Sequence, residues 1–265
     1  MKTSLWLNVD PLAEKMINLG AYVYCFNNPI NLTDPTGMEP DDIVAFNMKG
    51  QETSRIKSDT EFKTYVQKDD GTKEKAAMPN VITKKREAVT TAPKYQQHAY
   101  EIVAHTYIFN ENKNNGTTPK HTNGYLIDNS SSVPDLDSTL VKAIIMRETN
   151  MGTSNVTLSK NSSFSDIMQS NVYYSATSND WDDSKIQFGL SKNRTPSPSL
   201  SIKAGIGIFY QKGLTTKVGK TTWTGGANWE NATQQYNGKF KNYSKNVFEM
   251  KDNAIKPTIT NYTKP

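Results

Sequence analysis

The chain is poor in the residues that build disulfides and metal centres. Its 265 residues include one cysteine, Cys25, and three histidines, at positions 98, 105 and 121. A single cysteine excludes an internal disulfide and a cysteine-based zinc site, and three scattered histidines are too few for a histidine-rich site. The sequence therefore predicts a protein without a metal or other cofactor.

Long apolar runs are also absent. The longest, residues 141–146 and 204–210, fall far short of the roughly 20 residues that span a bilayer, so no membrane span is expected. The first ten residues lack the apolar segment of a signal peptide, and none is predicted. With a hydrophobic fraction of 35%, we expect a core in only part of the chain.

The positive charge is unevenly distributed. The net charge is +5, but residues 1–42 hold two lysines against six carboxylates, a net charge of −4, so the remainder carries +9. A basic body suggests a polyanionic target, which could be nucleic acid, an anionic lipid surface or a bacterial cell wall.

Composition divides the chain into three zones. Residues 1–42 are dense in proline, asparagine and aromatic residues, and residues 43–92 are polar without a clear period, which is typical of a linker. Periodic apolar segments begin at about residue 93. We therefore predict a short N-terminal segment, a linker over 43–92 and a folded domain over 93–265.

The first zone carries three motifs in a fixed order: WLNVDPLAEK at 6–15, YVYCFNNPIN at 22–31 and DPTGM at 34–38. Together they resemble the end of the core of rearrangement hot spot (Rhs/YD-repeat) proteins. In that family the core is a large β-shell that ends at a DPxG motif, and a variable toxin follows. The resemblance implies that residues 1–42 are a β remnant of this shell, with Asp34 in a self-cleavage site and a cut near Met38.

The Rhs resemblance also implies how the protein is delivered and controlled. A dedicated apparatus such as type VI secretion would export the parent Rhs shell and deliver the toxin to the periplasm and cell wall of a target bacterium. The producing cell would hold a cognate immunity protein. We expect that partner to plug the toxin's active site.

One predicted helix, over residues 137–150, has an apolar face that ends in a carboxylate. Asp137 or Ser138 can cap its start, and Asn150 to Gly152 supply its end. Residues spaced four apart share one helix face; here they are Leu136, Leu140, Ile144 and Glu148. Partial burial and the helix C-terminus would both raise the pKa of Glu148, as a general acid requires.

Four segments follow the order of a known enzyme signature: Arg147-Glu148-Thr149, Ser165-Asp166-Ile167-Met168-Gln169, a helix through Ser201 to Phe209, and Gln235-Tyr236-Asn237-Gly238. They resemble lytic transglycosylases and related muramidases, whose helix ends in Glu-Ser and is followed by Gly-Leu-Met-Gln, Asn-x-x-Ala-Gly and Ala-Tyr-Asn-Gly. The main departures of this chain from the signature are at Thr149, Asp166, Ser201 and Gln235.

The resemblance implies a mainly α, goose-type-lysozyme-like helical domain that cleaves the β-1,4 bond between N-acetylmuramic acid and N-acetylglucosamine in peptidoglycan. Glu148 would be the general acid and base. Four residues would line the sugar cleft: Met168, Gln169, Tyr236 and Asn237. A hydrolase needs a second carboxylate, for which the candidates are Asp166 and the cluster Asp180, Asp182 and Asp183. Hydrolysis and 1,6-anhydro ring formation both remain open.

Two other functions compete with this prediction. A nuclease would also suit the basic body, because many Rhs toxins attack nucleic acids. The sequence offers no histidine cluster or paired acidic and lysine motif for that chemistry, so we do not expect a nucleic-acid partner. A wall-binding module without catalysis is the third reading, and in it Glu148 would be incidental.

Overall fold

The structure is a computed structural model that describes residues 42–58, 61–85, 88–89, 91, 93–117, 132–153, 165–172, 182–192, 194–238 and 240–257. The Rhs-like motifs, including Asp34 and Met38, lie outside the described residues. So does Asp180 of the predicted aspartate cluster.

The segment predicted as a linker begins with a four-stranded mixed sheet. Its strands are β1 (Asp42–Asn47), β2 (Glu52–Lys57), β3 (Lys63–Gln67) and β4 (Lys73–Ala76), in the order β2-β1-β3-β4. The hairpins β1–β2 and β3–β4 are antiparallel, and the central pair β1–β3 is parallel. Two strands of two residues follow, β5 (Lys84–Lys85) and β6 (Ala88–Val89).

Five helices and one further hairpin make up the rest of the described chain. They are α1 (Ala99–Asn114), α2 (Ser138–Thr149), α3 (Pro198–Lys212), β7 (Leu214–Lys217), β8 (Lys220–Trp223), α4 (Glu230–Tyr236) and α5 (Tyr243–Asp252). Short 3-10 helices occupy Pro93–Tyr95 and Asp183–Phe188.

The predicted glutamate helix is confirmed. Helix α2 starts at Ser138, where the Asp137 side chain accepts a hydrogen bond from the Thr139 amide at 2.8 Å. It ends at Asn150, whose φ of 55° is the left-handed cap that asparagine tolerates. Leu136, Leu140 and Ile144 are buried, as the spacing predicts.

The largest core cluster joins the helices. Its widest members surround Trp229, whose ring centroid lies 5.0 Å from that of Phe209, 4.6 Å from that of Trp223 and 5.8 Å from that of Phe109. The Phe109 and Trp223 rings meet Trp229 edge to face, at interplanar angles of 70° and 66°, whereas the Phe209 ring is tilted by 36°. This core supports α2 and α4, the elements that carry Glu148 and Tyr236.

Helix α1 connects the sheet to the helices. Its Tyr100, Ala104 and Ile108 pack against Val44, Phe46 and Val66 of the sheet, while Ile102 and Phe109 belong to the main helical core. Residues 81–82 also reach the far end of the chain, because Val81 and Ile255 exchange two backbone hydrogen bonds at 2.8 and 3.0 Å.

The fold class predicted from the sequence is wrong. We expected a mainly α, lysozyme-like domain after a short β remnant, whereas the described residues have mixed α and β content, with one four-stranded and two two-stranded sheets. The error lies in residues 42–76. Their strands are short, and β2 is exposed along its whole length. A strand is recognised when buried residues alternate with more exposed ones, and that alternation is clear only in β3.

Candidate active site

Glu148 lies in the last turn of α2, at the end of the buried stripe, and its side chain is half-buried. The chain turns sharply after it, because Asn150, Met151 and Gly152 have φ values of 55°, 59° and 77°. Asparagine and glycine tolerate this conformation, so the cost falls mainly on Met151, which is held there by full burial of its side chain. The three residues redirect the chain immediately after the carboxylate.

Two side chains donate hydrogen bonds to one carboxylate oxygen. The Tyr243 hydroxyl lies 2.5 Å from Oε1 of Glu148, and Nδ2 of Asn237 lies 3.4 Å from the same atom. Burial, followed by the charge of Glu148, raises the pKa of Tyr243 well above that of a free phenol. Tyr243 therefore stays protonated and acts as a donor that orients the carboxylate.

Tyr236 lies near the carboxylate but binds the neighbouring loop. Its hydroxyl donates to the Met168 carbonyl at 2.8 Å. Burial, and then the charges of Glu148 and Asp166, raises the pKa of Tyr236 well above its ordinary value. Its hydroxyl is thus also protonated, and it fixes residues 165–172 against α4.

The loop 165–172 closes over the end of α2. Gln169 has a φ of 51°, and its Nε2 donates to the backbone carbonyl of Glu148 at 3.2 Å. The Thr149 hydroxyl donates to the Ile167 carbonyl at 2.7 Å and accepts from the Gly152 amide at 3.1 Å. The left-handed backbone of Gln169 is unfavourable, and these hydrogen bonds between the loop and the end of α2 hold it in place.

Asp166 organises this loop from inside. The residue is fully buried, and its oxygens accept hydrogen bonds from the Ser170 amide and hydroxyl, the Asn171 amide and the Ser201 hydroxyl, at 2.6–2.9 Å. Ser201 also accepts from the Met168 amide at 3.0 Å. Asp166 and Ser201, two departures from the resembled signature, therefore bind each other.

Most residues predicted for the site come together. Gln169 and Asn237 contact Glu148 directly, and Tyr236 reaches the site through the Met168 carbonyl. The Met168 side chain does not line a cleft. It is fully buried against α3, where a Cβ on Gly205 would lie 2.5 Å from its Sδ and 2.7 Å from its Cβ, so a larger residue at 205 would force Met168 to move.

The candidate second carboxylates lie in other settings. Asp166 accepts hydrogen bonds from Ser170, Asn171 and Ser201 and so holds the loop 165–172 together. Asp182 is exposed and caps the 3-10 helix Asp183–Phe188 by accepting from the Ser184 amide at 2.8 Å, and Asp183 is also exposed. This helix-capping bond is the ordinary role of an aspartate at such a position.

Sequence reasoning missed Tyr243, whose hydroxyl donates to Oε1 of Glu148 at 2.5 Å. It is the first residue of α5, after Asn242 at a φ of 62°. The predicted signature stops at Gly238, and no motif marks the tyrosine that follows. Only the packing of α5 on α2 brings the two side chains together.

In the part of the chain that the structure describes, no group of three or more histidine, cysteine, aspartate or glutamate side chains converges as a metal site. Within the same residues, no helix is both long and apolar enough to cross a membrane. No protein-family model, curated protein or solved structure matches this chain.

Proposed function

We propose that the protein is a peptidoglycan glycosidase that uses Glu148 as its acid and base. The observation that carries the proposal is the half-buried carboxylate at the end of α2, with Tyr243 and Asn237 donating to the same oxygen. Gln169 binds the carbonyl of the same residue. A carboxyl group held in this way can exchange a proton with a bound substrate.

The reaction would pass one proton through Glu148 and back. The protonated carboxyl group donates to the oxygen that bridges N-acetylmuramic acid and N-acetylglucosamine, and the bond from that oxygen to the muramic C1 breaks. The resulting carboxylate then accepts the proton of the muramic 6-hydroxyl as its oxygen attacks C1. This closes a 1,6-anhydro ring and restores the acid.

The surroundings of Asp166 favour this ring closure over hydrolysis. A hydrolase needs a second carboxylate to activate water or to form a covalent intermediate. Asp166 is fully buried and committed to four hydrogen bonds inside the loop. We therefore do not assign it a role on the substrate.

The basic body suits an anionic cell wall as the target, since residues 43–265 carry a net charge of +9. Delivery as the tail of an Rhs protein to the periplasm of a target bacterium is part of the same proposal and rests on the motifs in residues 1–42. The cognate immunity protein belongs to that proposal as well.

The test is to incubate the purified chain with bacterial sacculi and to analyse released muropeptides by mass spectrometry. Anhydro ends are the expected product, and reducing ends would identify a hydrolase instead. Binding to sacculi without release would support the wall-binding alternative. Degradation of DNA or RNA in a parallel incubation would support the nuclease.

Glu148→Gln removes the proton that the mechanism transfers while it keeps the size of the side chain. We expect muropeptide release to fall by about 10²- to 10⁴-fold, the usual contribution of general acid–base catalysis. Glu230→Gln, an exposed change at the start of α4, is the matched control and should release muropeptides like wild type. Full release by a folded Glu148→Gln variant would show that the site assignment is wrong.

A further inference from the structure

Arg147 precedes Glu148 in the last turn of α2, and its charge is not used by the proposed chemistry. Its guanidinium carbon lies 5.9 Å from the ring centre of Tyr243 and 5.9 Å from that of Phe240. At this distance a guanidinium is attracted to the face of an aromatic ring. Arg147 therefore contacts the same tyrosine whose hydroxyl donates to Glu148.

The two rings take the place of a carboxylate partner for Arg147. The guanidinium forms no ion pair with any of the described residues, and its Nε is buried without a hydrogen-bond acceptor among them. A buried donor without an acceptor costs free energy, so stability alone does not account for an arginine at this position. Its charge is left to act on the rings that it contacts.

The charge of Arg147 acts on the Tyr243 hydroxyl. Burial, followed by the charge of Glu148, raises the pKa of Tyr243 well above its ordinary value, whereas Arg147 is a contribution that lowers it. A phenol with a lower pKa is a stronger hydrogen-bond donor, so the cation at the ring strengthens the bond from Tyr243 to the carboxylate. The same contact restricts the position of the ring.

Phe240 contacts Arg147 from the chain between α4 and α5. It is 54% exposed, and its backbone amide donates to the Asn237 carbonyl at 3.2 Å. Asn237 is the second donor to the Glu148 carboxylate. One short stretch of chain after α4 therefore supplies both of these donors to the carboxylate and both rings to the guanidinium.

We infer that Arg147 is a positioning residue, which holds the Tyr243 hydroxyl on the Glu148 carboxylate by placing its guanidinium against the rings of Tyr243 and Phe240. The consequence for catalysis rests on the proposed function. The bond from Tyr243 favours the ionised carboxylate, and so it sets the pH range in which Glu148 can act as an acid.

Four other ionisable groups surround this arrangement: Tyr236, Asp166, Lys84 and Glu249. The first two lie near Glu148 and are held by hydrogen bonds of the loop 165–172. The last two line the same groove as Arg147. The substitutions that test the inference leave all four unchanged, so a shift in the titration of Glu148 reports on Arg147 and Tyr243.

The test measures the titration of Glu148 by ¹³C NMR of the carboxyl carbon in glutamate-labelled protein, with Glu148→Gln to assign the signal. Arg147→Gln should raise the midpoint by about half a pH unit, the size expected for the loss of one cation–π contact. Lys217→Gln removes an exposed positive charge at the end of β7 and should leave the midpoint at the wild-type position.

A second background shows whether Arg147 acts through Tyr243. Tyr243→Phe keeps the ring and removes the hydroxyl, so Arg147→Gln should then move the midpoint by less than half of its effect in the wild-type background. A shift at least half as large would mean that the charge acts on Glu148 directly, and it would overturn the inference. The absence of any shift in the wild-type background would overturn it as well.

If Arg147→Gln does not fold, Phe240→Leu takes its place, because this side chain is exposed and leucine keeps an apolar group without the ring face. It should raise the midpoint only where the Tyr243 hydroxyl is present, and no shift would contradict the inference. The titration needs no activity, so the two proposals fail separately. Midpoints that move as expected in a chain that releases no muropeptides would sink the glycosidase and leave the role of Arg147 intact.

Discussion

At the scale of single residues, two buried tyrosines near Glu148 differ in what they bind. The Tyr243 hydroxyl donates to the Glu148 carboxylate, whereas the Tyr236 hydroxyl donates to a backbone carbonyl. Removing the first donor in Tyr243→Phe destabilises the ionised carboxylate, so its protonated form persists to higher pH. We expect the alkaline limb of the pH profile of kcat/KM on glycan strands to move up by about one pH unit.

Tyr236→Phe is the matched control, since it removes a hydroxyl of similar burial from a partner that does not titrate. Its alkaline limb should stay at the wild-type position, although the loop will be less stable. Equal shifts in both variants would mean that burial of the rings governs the profile and that the Tyr243 hydrogen bond does not.

The same residues show how far the sequence predicts the site. Glu148, Gln169 and Asn237 are recognisable because each belongs to a short motif in a fixed order. Tyr243 lies 95 residues from Glu148 in the chain, and neither its neighbours nor its spacing identifies it. The Met168 carbonyl accepts a hydrogen bond from the Tyr236 hydroxyl, while the Met168 side chain fills the core.

At the scale of elements, the loop 165–172 depends on Asp166. Replacing it in Asp166→Asn puts an amide nitrogen where a carboxylate oxygen accepts hydrogen bonds, so at least one buried donor loses its acceptor. We expect the free energy of unfolding to fall by about 2–4 kcal/mol, against about 1 kcal/mol for Ser170→Ala, which removes one hydroxyl donor and keeps the bond from the Ser170 amide to Asp166. Urea denaturation of both variants measures the difference.

The alternative role for Asp166 has a different signature. If Asp166 were a second catalytic carboxylate, Asp166→Asn would lower kcat, while its free energy of unfolding would stay near the wild-type value. That result would return Asp166 to the reaction and reopen hydrolysis.

Helices were easier to predict than strands, for physical reasons. Helix α2 has a capping aspartate, an apolar stripe and a left-handed stop, and each is a local signal. Strand β2 has six exposed residues and β4 has three exposed residues out of four, so neither alternates in polarity. These strands are specified by backbone pairing with β1 and β3 across the two hairpins, and backbone hydrogen bonds leave little trace in the side chains of an exposed strand.

At the scale of the whole molecule, helix α1 holds the sheet and the other helices in one arrangement. His105 illustrates this, because its Nε2 lies 2.8 Å from the Ser199 hydroxyl at the start of α3. On the sheet side, a Cβ on Gly50 would lie 2.2 Å from the His105 ring, and Gly50 has a φ of 79° that favours glycine. The segment predicted as a linker is therefore packed against the domain that follows it.

A buried lysine in this shared core makes stability depend on pH. Lys142 of α2 is fully buried, with its Nζ hydrogen-bonded to Oε1 of Gln96. Burial lowers the pKa of Lys142 to about 7, from an ordinary value of 10.5. Between these two pH values the unfolded chain binds more protons than the folded one, so this group makes the protein more stable as the pH rises from 7 to 10.5.

Lys142→Met removes the titrating group and keeps a side chain of similar length. The variant should be more stable than wild type below pH 7, where the lysine is charged in both states. Its advantage in free energy of unfolding should shrink by up to about 5 kcal/mol as the pH rises from 7 to 10.5. Urea denaturation across this window measures both proteins, with the exposed Lys245→Met as control. Parallel stability curves for wild type and Lys142→Met would contradict the prediction, because they would mean that Lys142 binds its proton equally well in the core and in water.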